Sequence, residues 1–338
     1  MKSRFGHIQY ISPGVRRVFW RENGKTRSKT IHGDDDAAEL FLAHLRLGDE
    51  TFDVTNWADY YKQSVVPTYE GLADKTIADY ERLWKVELSP RIGSKMVSTT
   101  DWRFVEKTLN EIKSPSVQAH TFRLWRKMCN LAVRDGLLDR NPCDRSIRLK
   151  KQVKRKKQML DASEVLPLID KTHGTSYERL LLMEMCAGMR HGEAMAISLE
   201  DITHDGNRAI LSVSEAVVVV NGRLIRKETK TAFSEREVVL SGALAERLLN
   251  ASWPTRQQNP ETVTSNWRNW CKRYEVPYIR FSDMRSVFAT LACEVCDSSL
   301  VSMMMGHSDG TTRGRNYQQA TRKALCIVSD AFEELITA

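Results

Sequence analysis

The sequence predicts a multidomain protein, mainly α-helical with small antiparallel sheets, and three observations carry that reading. The chain has 338 residues, 41% hydrophobic and 28% charged, which is ordinary globular composition and enough length for two or three separate cores. Short β-prone runs near residues 7–31 and 209–240 are punctuated by Asn23-Gly24 and Asn221-Gly222, and Asn-Gly is the strongest short hairpin signal. Most of the remainder places apolar residues at helical spacing, broken at Arg148–Lys157 by a run in which seven of ten residues are basic and no apolar period is visible.

In order, His7–Ile11, Val15–Trp20 and Thr26–Ile31 read as strands separated by Pro13-Gly14 and Asn23-Gly24. Asp34-Asp35-Asp36 caps a helix through Leu47, with acids at its positive end. This small sheet-plus-helix unit, residues 1–48, concentrates Arg16, Arg17, Arg21, Lys25, Arg27 and Lys29. A solvated basic hairpin would have the same composition.

Residues 52–147 read as a helical domain. One helix covers Phe52–Val65 and ends at Pro67; a second covers Asp74–Leu88 and stops at Ser89-Pro90. Thr100-Asp101 caps a helix through Ile112, and Ser114-Pro115 starts one to Arg134 whose Arg123, Arg126, Lys127 and Arg134 make a basic side. Most charges on such a bundle are simply a solvated face. The basic run that follows, residues 148–158, reads as a linker with Lys150, Lys151, Lys154, Arg155, Lys156 and Lys157 placed to track phosphates. A charged spacer extended by self-repulsion is the simpler alternative.

The last domain spans 159–338. Asp161 or Ser163 caps a helix through Asp170, and Tyr177–Cys186 is a helix with a broad apolar face. Gly188 interrupts it and sets Arg190 at a corner before a helix over His191–Leu199. Ala209–Val220, Arg223–Thr229 and Arg236–Leu240 read as strands, with Lys230 at the second turn. Helices return over Gly242–Asn250, Thr262–Tyr274, Asp283–Glu294 and Ser298–Met305, and the segment after Tyr317 reads as a helix to Ala338.

The net charge of +8 favours a polyanionic partner such as nucleic acid, although a solubility surplus gives the same sign. The seven scattered cysteines, with no apolar leader behind Met1-Lys2-Ser3-Arg4, point to reduced thiols in a cytoplasm. Cys293-x-x-Cys296 lacks a second half and reads as helical core cysteines, so no metal is expected. No apolar run approaches the ~18 residues of a membrane span. No Gly-x-x-x-x-Gly-Lys loop or carboxylate cluster is present in the sequence, so no nucleotide or metal cofactor is expected.

Three local contexts carry the function. Arg190 lies in Ala187-Gly188-Met189-Arg190-His191-Gly192-Glu193, Arg285 in Asp283-Met284-Arg285-Ser286-Val287-Phe288-Ala289-Thr290, and His307 in Met305-Gly306-His307-Ser308 with Tyr317 ten residues on. Alone, each residue is an ordinary surface arginine, turn histidine or helix tyrosine. In this order within one domain-sized span they resemble the catalytic set of the tyrosine recombinases, the phage integrase family. The catalytic resemblance covers roughly residues 159–320. Asp135-Gly136-Leu137-Leu138 with Asn141-Pro142 resembles the end of that family's core-binding domain, and residues 1–48 resemble in layout the arm-site domain of lambda-type integrases.

The resemblance implies that Arg190 and Arg285 clamp the scissile phosphate, His307 donates to it, Lys230 on the hairpin is the general acid and Tyr317 the nucleophile. Glu193 and Asp283 would orient the clamp from behind. These residue types suit phosphoryl chemistry, because guanidinium forks stay charged and donate in parallel pairs to an anion. A tyrosine of pKa about 10 is only ~0.1% phenolate at pH 7, a deficit of roughly 4 kcal/mol that nearby cations reduce. There are two departures. Ser282 stands three residues before Arg285 where the family usually has His, and the His307–Tyr317 interval is one residue longer than its commonest spacing. Serine donates a hydrogen bond but does not titrate near neutrality as imidazole does.

The family likeness further implies site-specific recombination through a 3′-phosphotyrosyl intermediate on double-stranded DNA attachment sites. It also implies a tetramer assembled through the C-terminal tail, room for accessory DNA-bending and directionality proteins, and action in a bacterial host cytoplasm. Two other readings stay open: a relaxing enzyme of type IB topoisomerase kind, and a DNA-binding regulator on a catalytically weakened fold, for which Ser282 speaks.

Overall fold

The computed structural model describes residues 6–22, 25–46, 55–153, 155–228, 235–306 and 321–338. The chain forms two compact units, Met1–Lys154 and Arg155–Ala338.

The first unit opens with a meander of β1 (Gly6–Ser12), β2 (Val15–Glu22) and β3 (Lys25–His32), all antiparallel. The helix Asp35–Arg46 covers one face, its Phe41 and Leu42 packing with Val18 and Ile31. Met96, from the helical part of the same unit, joins that small core. The larger core centres on Trp57 and Trp125, both fully buried, in edge-to-face contact at 6.4 Å. Two of its buried aromatic polar atoms take partners, as such groups usually do: Trp57 Nε1 donates to Thr100 Oγ1 at 2.9 Å and Tyr60 Oη to Asp135 at 2.7 Å, whereas Trp125 Nε1 has no hydrogen-bond partner among the described residues.

Prolines do not end helices where the sequence suggested. The first helical run begins at Trp57 and continues through Pro67 to Tyr69 by way of a π turn, Tyr61–Val65, and a 3₁₀ turn, Val66–Tyr69. The second runs past Ser89-Pro90 to Ile92 through another π turn, Trp84–Leu88. In each case proline occupies the first positions of a new turn, where its missing N–H leaves no bond unmade.

The second unit has a three-stranded sheet ordered β4–β5–β8 and a separate β6–β7 hairpin. β4 (Ile202–Asp205), which the sequence pattern does not announce, is joined to β5 (Arg208–Val213) through Gly206 at φ +61°. The expected single strand over Ala209–Val220 divides at Ser214, because β5 pairs with β4 and β8 (Arg236–Ser241) while β6 (Glu215–Val220) pairs with β7 (Arg223–Glu228). The expected helix over His191–Leu199 is one turn, His191–Ala194, followed by a 3₁₀ turn at Leu199–Asp201. Cys293 is exposed and Cys296 half-buried at a helix end, rather than both lying in the core.

The helix Phe281–Val295 runs through the middle of this unit, burying Phe281, Met284, Val287, Phe288, Leu291 and Ala292. Around it lie Ser176–Leu181 with its π turn Leu182–Cys186, then Gly242–Asn250, Pro260–Arg273 and Ser298–Met305. The C-terminal helix Arg322–Thr337 docks on its own unit: Leu325, Val328, Phe332 and Ile336 are buried, and Phe332 meets Phe288 at 5.0 Å. Polar ties surround that contact. Arg322 forks onto Glu237 at 2.6 and 3.0 Å, Arg208 holds Asp330 at 2.7 Å, and Glu333 accepts the Ala243 N–H at 2.7 Å. Among the described residues no helix is long and apolar enough to cross a membrane.

Replacing Phe332 with Ala removes a fully buried ring and is expected to cost about 3–5 kcal/mol. Chemical denaturation followed by fluorescence measures it; a loss below about 1 kcal/mol would mean that the helix is not held by this contact.

Candidate active site

The site is built at the C-terminus of the helix Ser298–Met305, which ends at Gly306 in the left-handed conformation, φ +66°. A helix leaves its last carbonyls unpaired and carries partial negative charge there. Here three guanidinium groups take up successive carbonyls: Arg236 Nε donates to Met304 O at 2.8 Å, Arg285 Nη2 to Met305 O at 2.8 Å, and Arg190 Nη2 to Gly306 O at 3.2 Å. The structure thus brings together Arg190 and Arg285, which lie far apart in sequence, at the residue preceding His307.

Each arginine is placed by its local chain. Gly188, at φ +65°, ends the helical run of 176–186, and its backbone passes so close to Phe288 that a Cβ would lie 2.4 Å from the ring. Arg190 then caps the short helix His191–Ala194, and its own N–H donates to Glu193 Oε2 at 2.9 Å. Its Nη1 reaches Glu193 Oε1 at 2.6 Å while the side chain stays 44% exposed, open to a ligand from solvent. Arg285 is half-buried, and besides Met305 it donates to Gly188 O at 2.5 Å, so one guanidinium joins both corners. Burial, followed by repulsion from Arg190, pulls its pKa down to about 9, which leaves it charged at neutral pH.

Glu193 is almost fully buried between Arg190 and Arg236. Burial alone would raise its pKa, but the bond from Arg236 Nη2 at 2.8 Å, that arginine's charge and the Arg190 N–H outweigh it and hold the carboxyl below its ordinary range. Beneath the corner, His191 stacks on Phe281 at 4.2 Å and pairs through Nδ1 with the fully buried Glu184 at 2.7 Å.

Other expected site residues are placed differently. Asp283 is buried, and its partners are Arg155 and the Gln158 N–H; among the described residues it makes no bond to Arg190 or Arg285. It fastens the end of the basic run to the central helix, and Lys157 does the same through Ser286 Oγ at 2.9 Å. Ser282 is exposed one turn before Arg285. Lys230, His307, Tyr317 and Lys154 lie outside the described residues. Arg236 was not singled out from the sequence; its only signal is an arginine at the head of an apolar strand.

The expected DNA-contact residues divide. Arg17 and Arg21 are exposed on the face of β2 away from the helix, where His7 and Phe19 stack at 4.6 Å. Arg16 is bound to Asp35 and to the Ser12 and Val15 carbonyls, and Arg27 is exposed on the helix-bearing side. In the helical part, Arg123 is exposed, Arg126 forks onto Asp144 at 2.8 and 3.1 Å, and Lys127 lies over the rings of Tyr69 and Tyr80. Lys150 donates to the Asn110 and Ile112 carbonyls, while Lys151 and Lys156 are exposed.

Comparison with known proteins bears on the fold and the family. The fold is similar to that of a Tn1549 transposon integrase in complex with transposon right end DNA, at a TM-score of 0.63, 15% identity, and coverage of 84% of this chain and 100% of the other. It is also similar to a lambda integrase tetramer bound to a Holliday junction, at a TM-score of 0.57, 14% identity, and coverage of 90% and 96%. In sequence the chain is 25% identical to the integrase of Mycobacterium phage D29, over 90% of this chain and 88% of that one. Residues 151–323, just over half of the chain, match the phage integrase family. The protein belongs to the phage integrase family and is a site-specific recombinase, an enzyme that cleaves and rejoins DNA.

Two outcomes follow from the corner. Gly188→Ala forces a methyl into Phe288 at a positive φ, and a destabilisation of at least about 1–3 kcal/mol is expected, measured by thermal or chemical melting. Glu193→Gln leaves Arg236 buried beside a neutral amide, and a loss on the order of 3–5 kcal/mol is expected near neutrality. Because the folded-state pKa of Glu193 is depressed, its contribution is present above the ordinary carboxylate range and disappears as pH falls through the folded value. The gap between wild type and variant should therefore close in acid; melting curves from pH 7 down to pH 3 test it, and a constant gap would contradict the pairing.

Proposed function

We propose that the chain recombines DNA at specific attachment sites through a covalent 3′-phosphotyrosyl intermediate formed on Tyr317. The observation that supports this most is the convergence of Arg190 and Arg285 on the Met305 and Gly306 carbonyls, immediately before His307. A phosphodiester undergoing displacement gains charge on its non-bridging oxygens, and preorganised donors in a partly desolvated corner stabilise that charge. Arg190 and Arg285 supply the guanidinium pair, and His307 a third donor.

In the reaction the Tyr317 oxygen gives its proton to solvent and attacks phosphorus, the bond to the 5′ oxygen breaks, and Lys230 protonates that oxygen as it leaves. The phosphotyrosyl ester keeps the bond energy, so a second 5′ hydroxyl reverses the chemistry on a new strand and no energy source is consumed. By analogy with the lambda integrase tetramer bound to a Holliday junction, four copies would exchange strands through a four-way junction. Residues 1–48 would hold arm sites and 52–147 the core site, 148–158 would follow the backbone between, and 159–338 would cleave. Ser282, where an imidazole is usual, slows proton transfer without removing the clamp.

The test is covalent trapping. Full-length protein is mixed with fragmented phage and host DNA, denatured, and resolved for protein–DNA adducts, whose junctions give the site. An adduct is expected from wild type and none from Tyr317→Phe, with Ser282→His forming adduct faster, by up to about 10²-fold. Tight DNA binding by wild type with no adduct would instead identify a regulator, and sequence-independent relaxation of supercoils by single copies a topoisomerase.

A further inference from the structure

Arg236 is the first residue of β8, opposite Val213 of β5. Its side chain is only 7% exposed. Two adjacent donors on one planar group reach two different parts of the active corner: Nε holds the Met304 carbonyl and Nη2 the Glu193 carboxylate, each at 2.8 Å. The Gly306 backbone rests on the same side chain, where an added Cβ would lie 3.0–3.1 Å from Cδ, Nε and Nη1. Glu193 in turn binds Arg190, and Arg190 reaches Gly306 O. The contacts close a ring that runs from Arg190 through Glu193 and Arg236 to the Met304–Gly306 backbone and back to Arg190.

Burying a third guanidinium here is costly. It adds a cation beside Arg190 and Arg285, paired among the described residues with Glu193, and a buried ion pair is often no more stable than apolar side chains of the same volume. A methionine would fill the place beneath Gly306. What a methionine or a lysine does not provide is the rigid fork that fixes the separation between a carboxylate and a backbone carbonyl.

We propose that Arg236 is a positioning residue for DNA strand cleavage: it locks Glu193, and through it the Arg190 guanidinium, against the Met304–Gly306 corner from which His307 departs. This inference rests on the phosphotyrosyl reading above. Arg236 does not touch the phosphate; it sets where the clamp sits, and misplacement by about 1 Å costs on the order of 10²-fold in rate.

The experiment uses the full chain and a duplex carrying the site mapped by trapping on wild type, nicked beside the cleavage position so that adducts accumulate. Single-turnover adduct formation at saturating DNA, DNA affinity and thermal midpoint are measured for Arg236→Lys, Arg236→Met, Glu193→Gln and the Arg236→Lys/Glu193→Gln pair. Arg236→Lys keeps the charge and loses the fork. It is expected to form adduct on the order of 10²-fold more slowly, with DNA affinity within about threefold of wild type. The pair is expected to be no slower than its worse member, because the two residues act as a unit. Cleavage by Arg236→Lys within about threefold of wild type, or losses that multiply in the pair, would overturn the proposal. So would cleavage that falls only in step with the thermal midpoint or with DNA affinity, including a variant that does not fold at all. An adduct that persists in Tyr317→Phe would sink the phosphotyrosyl reading instead, whatever Arg236 does.

Discussion

The second unit's arginine cluster depends on the end of one short helix. Ser298–Met305 stops at Gly306, and the carbonyls of Met304, Met305 and Gly306 each accept a guanidinium hydrogen bond. Like charges would separate if left in water. They gather here because each finds part of a helix terminus, whose partial negative charge stands in for counter-ions, and because Glu193 is shared by two of them. The result is a concentrated positive field held by backbone atoms, which do not titrate and move only if the helix moves. On the reading proposed above, an arriving phosphate would compete with carbonyls for donors already aimed at one place.

Support for that corner is built from an unusual amount of buried charge. Glu184 is fully enclosed and bonded to His191, and Arg179, also enclosed, lies over the Trp253 ring and reaches the Ala194 carbonyl. Burial pushes Glu184 up and pulls Arg179 down to about 10. For His191 burial works downward too, but its bond to Glu184 wins and leaves the ring more easily protonated. Phe281 stacks on that ring and begins the helix that carries Arg285. The short helix after Arg190 and the long helix that carries Arg285 therefore meet through one imidazole stacked on a ring.

How much of this could be read from the sequence depended on whether a feature is local. The N-terminal hairpins were legible because Asn-Gly and Pro-Gly turns act within a few residues, and Arg190, Arg285 and Gly306 because each sits in a short, chemically distinctive context. Glu193 behind Arg190 was an expectation of the family resemblance alone; the structure sets it against that arginine. The division of one apparent strand at Ser214 was not, because choosing between two sheets depends on which edges are available. The prolines at 67 and 90 misled because a π turn ahead of each resets the hydrogen-bond ladder. Asp283 was expected behind the clamp, and only the fold reveals that Arg155 reaches it from across the unit. Arg236 was invisible for the same reason: Met304 and Glu193, which accept its hydrogen bonds among the described residues, lie more than forty residues away.

The docked C-terminal helix has a consequence for reach. Thr321 caps a helix pinned by Phe332 and by the forked Arg322–Glu237 pair, and Tyr317 stands four residues before it. Covalent geometry alone keeps its Cα within about 14 Å of that anchor. His307 follows Gly306 directly, so its Cα is about 3.8 Å from the fixed corner. Chain connectivity alone thus places one position a single peptide from the guanidinium corner and the other four residues from the docked helix. On the reading proposed above, a nucleophile at Tyr317 would meet only a phosphate within that reach for as long as the helix stays docked on its own unit, and delivery to a more distant strand would first require the anchor to lift.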